Sequence, residues 1–177
     1  MRKCAIPAKI RHWIARSPEE LESGTMKLDE IDRRILRALQ RDGRVANNDL
    51  ARQVGLSPSP CLRRVKLLEE AGVIDRYVAV LNPAKIGRGQ TFFTRIWLKQ
   101  QDEDTIEHFA AEVAKFPEVM ECYLMMGDCD ALVRIVAAGI DDYRRFQSEH
   151  LSRIKGVQNV KTDVPSQIIK QTSEMPL

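Results

Sequence analysis

Two cations one helical turn apart, Arg63 and Lys66, are the side chains whose type and spacing best fit recognition of a ligand. They belong to the stretch SPSPCLRRVKLLEE, and at about 100° per residue they cluster on one face of a helix with Ser59. The opposite face is apolar and consists of Cys61, Val65 and Leu68. A small polar residue followed one turn later by cations suits the base edges and phosphates of a DNA major groove.

The start of this helix is marked by a serine and two prolines. Ser57 can cap the helix with its hydroxyl, and Pro58 fits the first turn, where a missing N–H costs nothing. Pro60 falls in the same turn, whose N–H groups have no acceptor within the helix. The sequence therefore predicts a helix that begins after Ser57 and is not broken by its prolines.

A small set of side chains forms the candidate DNA contacts. We expect Ser59 and Arg63 at base edges, because they lie on the outward face close to the start of the helix. The remaining candidates, mainly for phosphate contacts, are Lys66, Arg64, Arg44, Arg52 and Ser57. An ordinary amphipathic surface helix has the same pattern, so the preceding elements have to decide between the two interpretations.

Two further helical patterns precede this helix and favour DNA binding. In LDEIDRRILRALQRDG, Asp29 is a candidate N-cap and Gly43 a candidate stop. The apolar stripe of this first helix consists of Leu28, Ile31, Ile35, Ala38 and Leu39. The second helix, NNDLARQVG, ends at Gly55 and buries Leu50, Ala51 and Val54. Only the residues LS then precede the third helix, which is the spacing of a helix-turn-helix.

The charge of the chain changes sign between its halves. Residues 1–88 contain 18 Lys and Arg against 11 Asp and Glu, a net charge of +7. Residues 89–177 contain 10 Lys and Arg against 14 Asp and Glu, a net charge of −4. A basic half is typical of a polyphosphate partner, and the opposite signs indicate two domains with different partners.

The segment VIDRYVAVLNPAKIGRG follows the helices and predicts the domain boundary. Alternation of Val78 and Val80 indicates a short strand, which the NP and GRG breaks end. We therefore expect a winged-helix-like helix-turn-helix domain over residues 27–81, a hinge over 82–90 and a second domain over 91–177.

The second domain alternates strand and helix patterns in the order β-α-β-β-α-β. The strands TFFTRIWLKQ, EVMECYLMM, ALVRIVAA and VQNVKTDVPSQII are separated by the helices DEDTIEHFAAEVAKF and IDDYRRFQSEHLSRI. This order predicts an antiparallel sheet with both helices on one face, a ferredoxin-like βαββαβ fold of the α+β class. Pro165 forces the last strand to bend or to lie at an edge. The uncovered face carries large residues such as Phe93 and Trp97, so we expect self-association through it.

The GDCD turn between the second and third of these strands is the candidate site for a small ligand. Asp128 and Asp130 could orient an ammonium group, and Gly127 would let main-chain N–H groups approach a carboxylate. These groups match the two charges of a free amino acid. A hairpin turn in which Asp and Gly satisfy local geometry has the same residues, so both interpretations are open.

Other classes of function lack support in the sequence. The four cysteines, Cys4, Cys61, Cys122 and Cys129, include no CxxC pair and no His at metal-ligand spacing, which is typical of buried thiols in a reducing cytoplasm. No GxSxG, P-loop or HExxH motif is present, so we expect neither catalytic nor metal-ligating residues. No window approaches the roughly 18 apolar residues that span a membrane.

From about Leu28 onward the chain resembles the Lrp/AsnC family, the leucine-responsive or feast/famine regulators of bacteria and archaea. The resemblance is carried by LDEIDRRIL, LARQVGLSPSPCLRRVKLLEEAGVI, NPAKIG and GDCDALVRI. It implies an N-terminal domain that binds double-stranded DNA and a C-terminal domain that binds a free amino acid. It also implies dimers that pair through their sheets and assemble into tetramers or octamers. A symmetric dimer would recognise an imperfect palindrome.

The resemblance further places the amino-acid effector between dimers, beside the turn that joins two strands. The positions implied for it are Met126, Gly127, Asp128, Asp130 and, on the last strand, Thr162. We therefore predict a cytoplasmic, nucleoid-associated regulator of amino-acid metabolism that has no cofactor and whose effector is not identified. An amino-acid-binding module of an enzyme complex and a thiol-responsive DNA-binding sensor are the alternatives.

Two features depart from the family pattern. Ala46 stands where a Ser or Thr usually caps the second helix, so we expect Asn47 to cap it, at a cost of about 1 kcal/mol. Residues 1–26 have no counterpart in most members. They are interpreted as an upstream start assigned in error, a disordered basic arm, or an extra helix around residues 6–16.

Overall fold

A computed structural model describes residues 26–177, and the interpretations of the N-terminal extension up to residue 25 lie outside these residues. The chain divides into two compact units. The first, the helical unit, ends at Val80 and also includes Ile169–Leu177, and the second, the sheet unit, spans Leu81–Ile168. The predicted hinge thus falls inside the sheet unit, and the last nine residues belong with the helices rather than with the sheet.

The helical unit contains α1 (Glu30–Arg41), α2 (Asn47–Val54) and α3 (Pro58–Glu70). Asp29 caps α1 as predicted: its carboxylate accepts the N–H of Asp32 at 2.8 Å. The Asp32 carboxylate in turn accepts the N–H of Asp29 at 3.2 Å, which completes a capping box. The helix α2 ends at Gly55, whose φ of 76° lies in the left-handed region that favours glycine.

The core of the helical unit follows the predicted apolar stripes closely. Its buried members are Ile35, Leu36, Leu50, Ala51, Val54, Cys61 and Leu68. Leu36 was not among the predicted residues, whereas Leu28, Ile31, Ala38, Leu39 and Val65 are only partly buried. The inward face of α3 is therefore the predicted one, and the outward face is left exposed.

The side-chain caps predicted for α2, from an asparagine, and for α3, from a serine, do not form. Ser57 is the N-cap of α3, but its hydroxyl makes no capping bond, and one of the two usual donors is missing because residue 60 is a proline. At α2 the N-cap is Ala46, and Asn47 is already the first helical residue. The Asn47 side chain instead donates a 2.9 Å hydrogen bond to the carbonyl of Pro58.

The short strand predicted around Val78 and Val80 is absent. Residues 75–82 have no regular structure, and the two valines are 67% and 84% exposed. Alternation alone does not make a strand, because none of the strands in the described part of the chain lies beside this main chain to pair with it. A short 3₁₀ helix, Pro83–Ile86, follows and is capped by the Asn82 side chain.

The sheet unit has the predicted β-α-β-β-α-β order. Its elements are β1 (Gln90–Leu98), α4 (Glu103–Val113), β2 (Val119–Leu124), β3 (Ala131–Ala137), α5 (Ile140–Glu149) and β4 (Val157–Asp163). The strands form one antiparallel sheet in the order β2-β3-β1-β4, so the ferredoxin-like prediction is confirmed. The edge strand β4 ends two residues before Pro165, in agreement with the expected effect of that proline.

Both helices cover the same face of the sheet. Alternate residues of β1 and β3 are buried, and they pack against buried side chains of α4 and α5. The contributors from β1 are Phe92, Ile96 and Leu98, those from α4 are Phe109 and Val113, and those from α5 are Tyr143 and Phe146. The other face of the sheet carries Phe93, Arg95 and Trp97, as the alternation of β1 predicts.

A chain of three hydroxyl groups crosses this core. The Tyr143 hydroxyl lies 2.9 Å from that of Thr94, which is fully buried on β1, and it also contacts the hydroxyl of Thr162 on β4. Thr94 and Thr162 face each other in the register of the two strands. The Tyr143 ring stacks on Phe92 at 4.2 Å. One tyrosine of α5 therefore satisfies two threonines of neighbouring strands.

Replacing Tyr143 with Phe removes the shared hydroxyl and keeps the ring. We expect Tyr143→Phe to lower the free energy of unfolding of the sheet unit by about 1–3 kcal/mol, because the buried Thr94 hydroxyl loses its partner. Urea denaturation followed by Trp97 fluorescence, in a background where Trp13 is Phe, measures this loss. The control is Tyr123→Phe, whose half-exposed hydroxyl bonds Glu121 at the surface. Equal losses in the two variants would contradict a special role for the hydroxyl chain.

Candidate DNA-binding and effector sites

The outward face of α3 presents the predicted base-contacting side chains to solvent. Ser59, Arg63 and Lys66 are exposed, as is Ser57 at the start of the helix. Over residues 26–177, the side chains of Arg63 and Lys66 make no hydrogen bond or ion pair with another residue. Their donors are therefore available to an external acceptor such as a guanine edge or a phosphate.

Arg64, the neighbour of Arg63, has a different environment. Its Nη1 lies 2.7 Å from a carboxylate oxygen of Asp29 and 2.7 Å from one of Asp32. The Asp32 side chain is almost fully buried, whereas that of Asp29 is half exposed. These three residues, here called the Arg64 clamp, join the N-terminus of α1 to the middle of α3. Arg64 was predicted to hold a phosphate, but its guanidinium is engaged inside the unit.

The hydrogen bonds of the clamp shift the pKa values of Asp29 and Arg64. The main-chain N–H of Asp32 and, to a smaller extent, the Arg64 guanidinium hold the pKa of Asp29 below its ordinary 3.8. The carboxylates of Asp32 and Asp29 raise the pKa of Arg64. Since folding lowers the pKa of Asp29, its contribution to stability is complete at neutral pH and is lost as the pH falls below 3.8 through the lowered pKa.

The other two cations predicted to hold phosphates lie near acidic residues. Arg44 and Arg52 border an open depression together with Asp42 and Asp49. Arg52 forms an ion pair with Asp49, and its side chain is 80% exposed. Because the four charges cancel, this depression is less favourable to a phosphate than the outward face of α3.

A further contact that the sequence did not predict fixes the start of α3. The side-chain amide of Asn47, in the first turn of α2, donates to the carbonyl of Pro58. Asn47 and the Arg64 clamp thus hold α3 at its N-terminus and at its middle. The only hint in the sequence was a polar residue at the start of α2, which we had interpreted as a cap.

The GDCD turn lies between β2 and β3 and is open to solvent. Met126 is fully exposed, and the Asp128 carboxylate is 83% exposed. Trp97 donates from its indole N–H to the main-chain oxygen of Asp128 at 2.6 Å, and an Arg95 nitrogen lies 3.9 Å from the Asp128 carboxylate. A Cβ at Gly127 would contact nothing within 4 Å, so local packing does not require glycine there.

Asp130, the second predicted carboxylate, has both of its oxygens engaged within the sheet unit. One of its carboxylate oxygens accepts the main-chain N–H of Leu98 at 2.6 Å, and the other accepts from the Gln101 amide at 2.6 Å. Its side chain therefore ties the turn to the end of β1. This geometry assigns Asp130 to holding the turn and leaves Asp128 as the exposed carboxylate.

Thr162, the predicted effector residue on the last strand, lies on β4. Its hydroxyl contacts Tyr143 on the helix-covered side of the sheet. The side chains that meet Asp128, Trp97 and Arg95, lie on the other side of β1. The structure thus does not bring Thr162 together with Asp128.

Metal and membrane sites find no support in the described residues. No group of three or more His, Cys, Asp or Glu side chains that could hold a metal ion occurs between residues 26 and 177. In the same part of the chain, no helix is long and apolar enough to cross a bilayer.

Comparison with protein families matches both units. The family described as the Lrp/AsnC ligand binding domain matches residues 91–175, and the family described as a winged helix-turn-helix DNA-binding domain matches residues 28–75. A leucine-responsive regulatory protein of Salmonella typhimurium is 41% identical over 148 residues, which cover 84% of this chain and 90% of the relative. The protein of the same name from Escherichia coli K12 is 40% identical with the same coverage.

Solved structures of similar proteins have the same fold. A transcriptional regulator of Neisseria meningitidis in complex with L-Met superposes with a TM-score of 0.82 at 37% identity, covering 85% of this chain and 97% of that one. An AsnC family transcriptional regulator from Agrobacterium tumefaciens gives 0.80 at 40% identity, covering 84% and 97%.

Removing the cation of the Arg64 clamp tests its structural assignment. We expect Arg64→Gln to lower the stability of the helical unit by about 1–3 kcal/mol, because the buried Asp32 carboxylate loses its charged partner. Hydrogen exchange at the main-chain amides of α1 measures this change. In the matched control Arg52→Gln, only an exposed ion pair is lost, and we expect a change below about 0.5 kcal/mol. If the two variants exchanged at the same rates, Arg64 would have no special structural role.

Proposed function

Because this chain belongs to the Lrp/AsnC family of transcriptional regulators, we propose that α3 recognises DNA with its outward face and that the GDCD turn binds a free amino acid. The helix-turn-helix unit makes the protein a DNA-binding regulator, and the sheet unit is an amino-acid-binding domain. One observation carries the assignment of the DNA surface. Arg63 and Lys66 are exposed, and among residues 26–177 their side chains have no hydrogen-bond or ion-pair partner, whereas Arg64 is engaged in the clamp.

On this proposal α3 lies in a major groove with its N-terminal half at the bases. Ser59 and Arg63 contact base edges, and Lys66, one turn later, neutralises a phosphate. Arg44 and Arg52 contribute further positive charge at the flank, reduced by Asp42 and Asp49. Two such helices in a symmetric dimer would bind an imperfect palindrome whose half-sites are about one helical turn apart.

The effector meets the exposed side of the GDCD turn. Its ammonium pairs with the Asp128 carboxylate, and its carboxylate is met by main-chain N–H groups at Gly127. Met125 and Met126 are both exposed, so they offer a flexible apolar surface to an effector side chain. The L-Met complex of the Neisseria regulator and the names of the leucine-responsive relatives support an apolar amino acid.

Self-association completes the effector site in this proposal. The turn is open in a single chain, so a second copy is needed to enclose a ligand. The face of the sheet away from the helices offers Phe93 and Trp97, and exposed Tyr123 extends it from β2. We propose that dimers form through this face and assemble further into tetramers or octamers. The effector acts by binding one assembly state more tightly than another, since only differential affinity shifts an equilibrium.

The two alternatives are less well supported. Burial raises the pKa of the Cys61 thiol, and it raises the pKa of Cys122 to about 11, so neither thiol is readily ionised for redox sensing. A regulatory module of an enzyme complex has no use for the exposed cations of α3. We propose that the protein is not an enzyme and that it acts at the nucleoid in the cytoplasm, where its DNA partner lies.

Replacing the two cations of α3 one at a time distinguishes recognition of bases from electrostatic attraction to phosphates. We expect Arg63→Gln to relax base preference at one position of each half-site by about 1–3 kcal/mol, because a bidentate contact to a base is lost. Lys66→Gln should weaken specific and random DNA alike and reduce the salt dependence by about one phosphate contact. Binding titrations on a set of single-base variants of the site, across a salt series, measure both effects.

The same titrations contain the result that would contradict this assignment. If Arg63→Gln and Lys66→Gln each reduced specific and random binding by one common factor, neither side chain would read a base. A third variant, Arg41→Gln, removes an exposed cation at the end of α1 and serves as the control for net charge.

Neutralising the exposed carboxylate of the turn tests the effector site. We expect Asp128→Asn to weaken amino-acid binding at least tenfold in calorimetry, because the ammonium loses its ionic partner. Asp141→Asn, which removes an exposed carboxylate from the first turn of α5, is the matched control. An unchanged affinity in Asp128→Asn, with DNA binding intact, would place the effector elsewhere.

A further inference from the structure

The last residues of the chain lie on the first helix of the DNA-binding unit. Ile169–Leu177 belong to the helical unit, although they continue from a strand of the sheet unit. Their contacts with α1 are made at Met175 and Leu177, which lie in a stretch without helix or strand structure. This places two distant parts of the sequence, about 140 residues apart, against each other.

Two polar side chains of α1 hold the main chain of this segment. The Gln40 amide donates to the carbonyl oxygen of Met175 at 3.1 Å and accepts the Met175 N–H through its own oxygen. Arg37, one turn earlier on the same face of α1, donates to a main-chain oxygen of Leu177 at 2.9 Å. Because the contacts are to main-chain atoms, they require an extended segment rather than particular side chains.

One side chain supplies the specificity. Leu177 packs against the core cluster of the helical unit, whereas the Met175 side chain is 73% exposed. Residue 176 between them is a proline, which has no N–H to leave unpaired and favours an extended conformation. The segment is therefore held by main-chain hydrogen bonds on both sides of a proline, and by one apolar side chain that packs on the core.

We propose that the face of α1 formed by Arg37 and Gln40 is a docking site, and that its occupant is the segment Met175–Leu177 of this chain. The segment acts as a strap that supplies a leucine to the core of the DNA-binding unit. The strap also joins the helical unit to the sheet unit through β4, in addition to the chain connection at Val80 and Leu81. This inference goes beyond the proposed function and does not rest on it.

The strength with which the strap docks depends on the chain segment that tethers it to β4. A contact of three hydrogen bonds and one partly buried leucine is weak between separate molecules. The tether from the end of β4 to Met175, residues 164–174, reaches roughly 40 Å at most and gives an effective concentration on the order of millimolar. Docked and released forms are then close in free energy, so small changes at either end shift the balance between them.

Hydrogen exchange at the Met175 amide measures docking directly, because that N–H is held by Gln40. In the full chain we expect Leu177→Ala to speed this exchange about fivefold, through loss of the apolar anchor. Gln40→Ala should speed it at least as much from the other side of the contact, without touching the strap. The pair of variants distinguishes a released strap from an effect on one side chain alone.

The matched control is Glu30→Gln. Arg37 also pairs with Glu30, at 3.2 Å, so this variant changes the surroundings of Arg37 and leaves every strap contact in place. Faster exchange in Leu177→Ala and Gln40→Ala, with no change in Glu30→Gln, is the expected result. Exchange at the rate of an unstructured amide in the unaltered chain, or an unchanged rate in both variants, would overturn the proposal. Neither result depends on DNA or on an amino-acid effector.

Discussion

The DNA-binding unit depends on one ionic contact, between Arg64 on α3 and the pair Asp29 and Asp32 at the start of α1. A recognition helix is useful only if its orientation is fixed, since base contacts tolerate little displacement. The small core of three short helices leaves α3 with few buried side chains, Cys61 and Leu68 among them. The clamp adds a polar restraint in the middle of α3, and it uses carboxylates that already cap α1. Helix formation and helix placement are therefore coupled.

In the sheet unit, too, polar side chains that are paired inside the fold hold neighbouring elements in place. Tyr143 satisfies Thr94 and Thr162 inside the core, and Asp130 binds the end of β1 through Leu98 and Gln101. The Asp130 contacts tie the GDCD turn to the end of β1. Polar groups that hold the turn are internally paired, and Asp128 alone of its two carboxylates faces solvent. A turn that is tied to β1 and presents one exposed carboxylate is a suitable place for a charged ligand.

Sequence reasoning predicted what local patterns determine. The cap at Asp29, the stop at Gly55 and the alternation of β1 all follow from residues close in the chain, and the structure confirms them. It failed where the partner is distant. Arg64 meets acids 32 and 35 positions earlier, and the Asp130 carboxylate meets an amide 32 positions away, so neither contact leaves a periodic trace. The strand predicted from Val78 and Val80 was wrong for the opposite reason. Their alternation is a local pattern, but a strand also needs a neighbouring strand to pair with.

The two adjacent arginines of α3 show why composition is a poor guide to a binding surface. Arg63 and Arg64 are identical in type and point about 100° apart around the helix. That rotation carries Arg64 towards α1, where two carboxylates consume its charge, and leaves Arg63 in solvent. The excess positive charge of the first half of the chain therefore overstates the number of cations that are available to DNA. Cations already paired within the fold gain little from a phosphate, because the first partner must be given up. The recognition surface that we propose is thus defined by the charges that folding leaves unpaired.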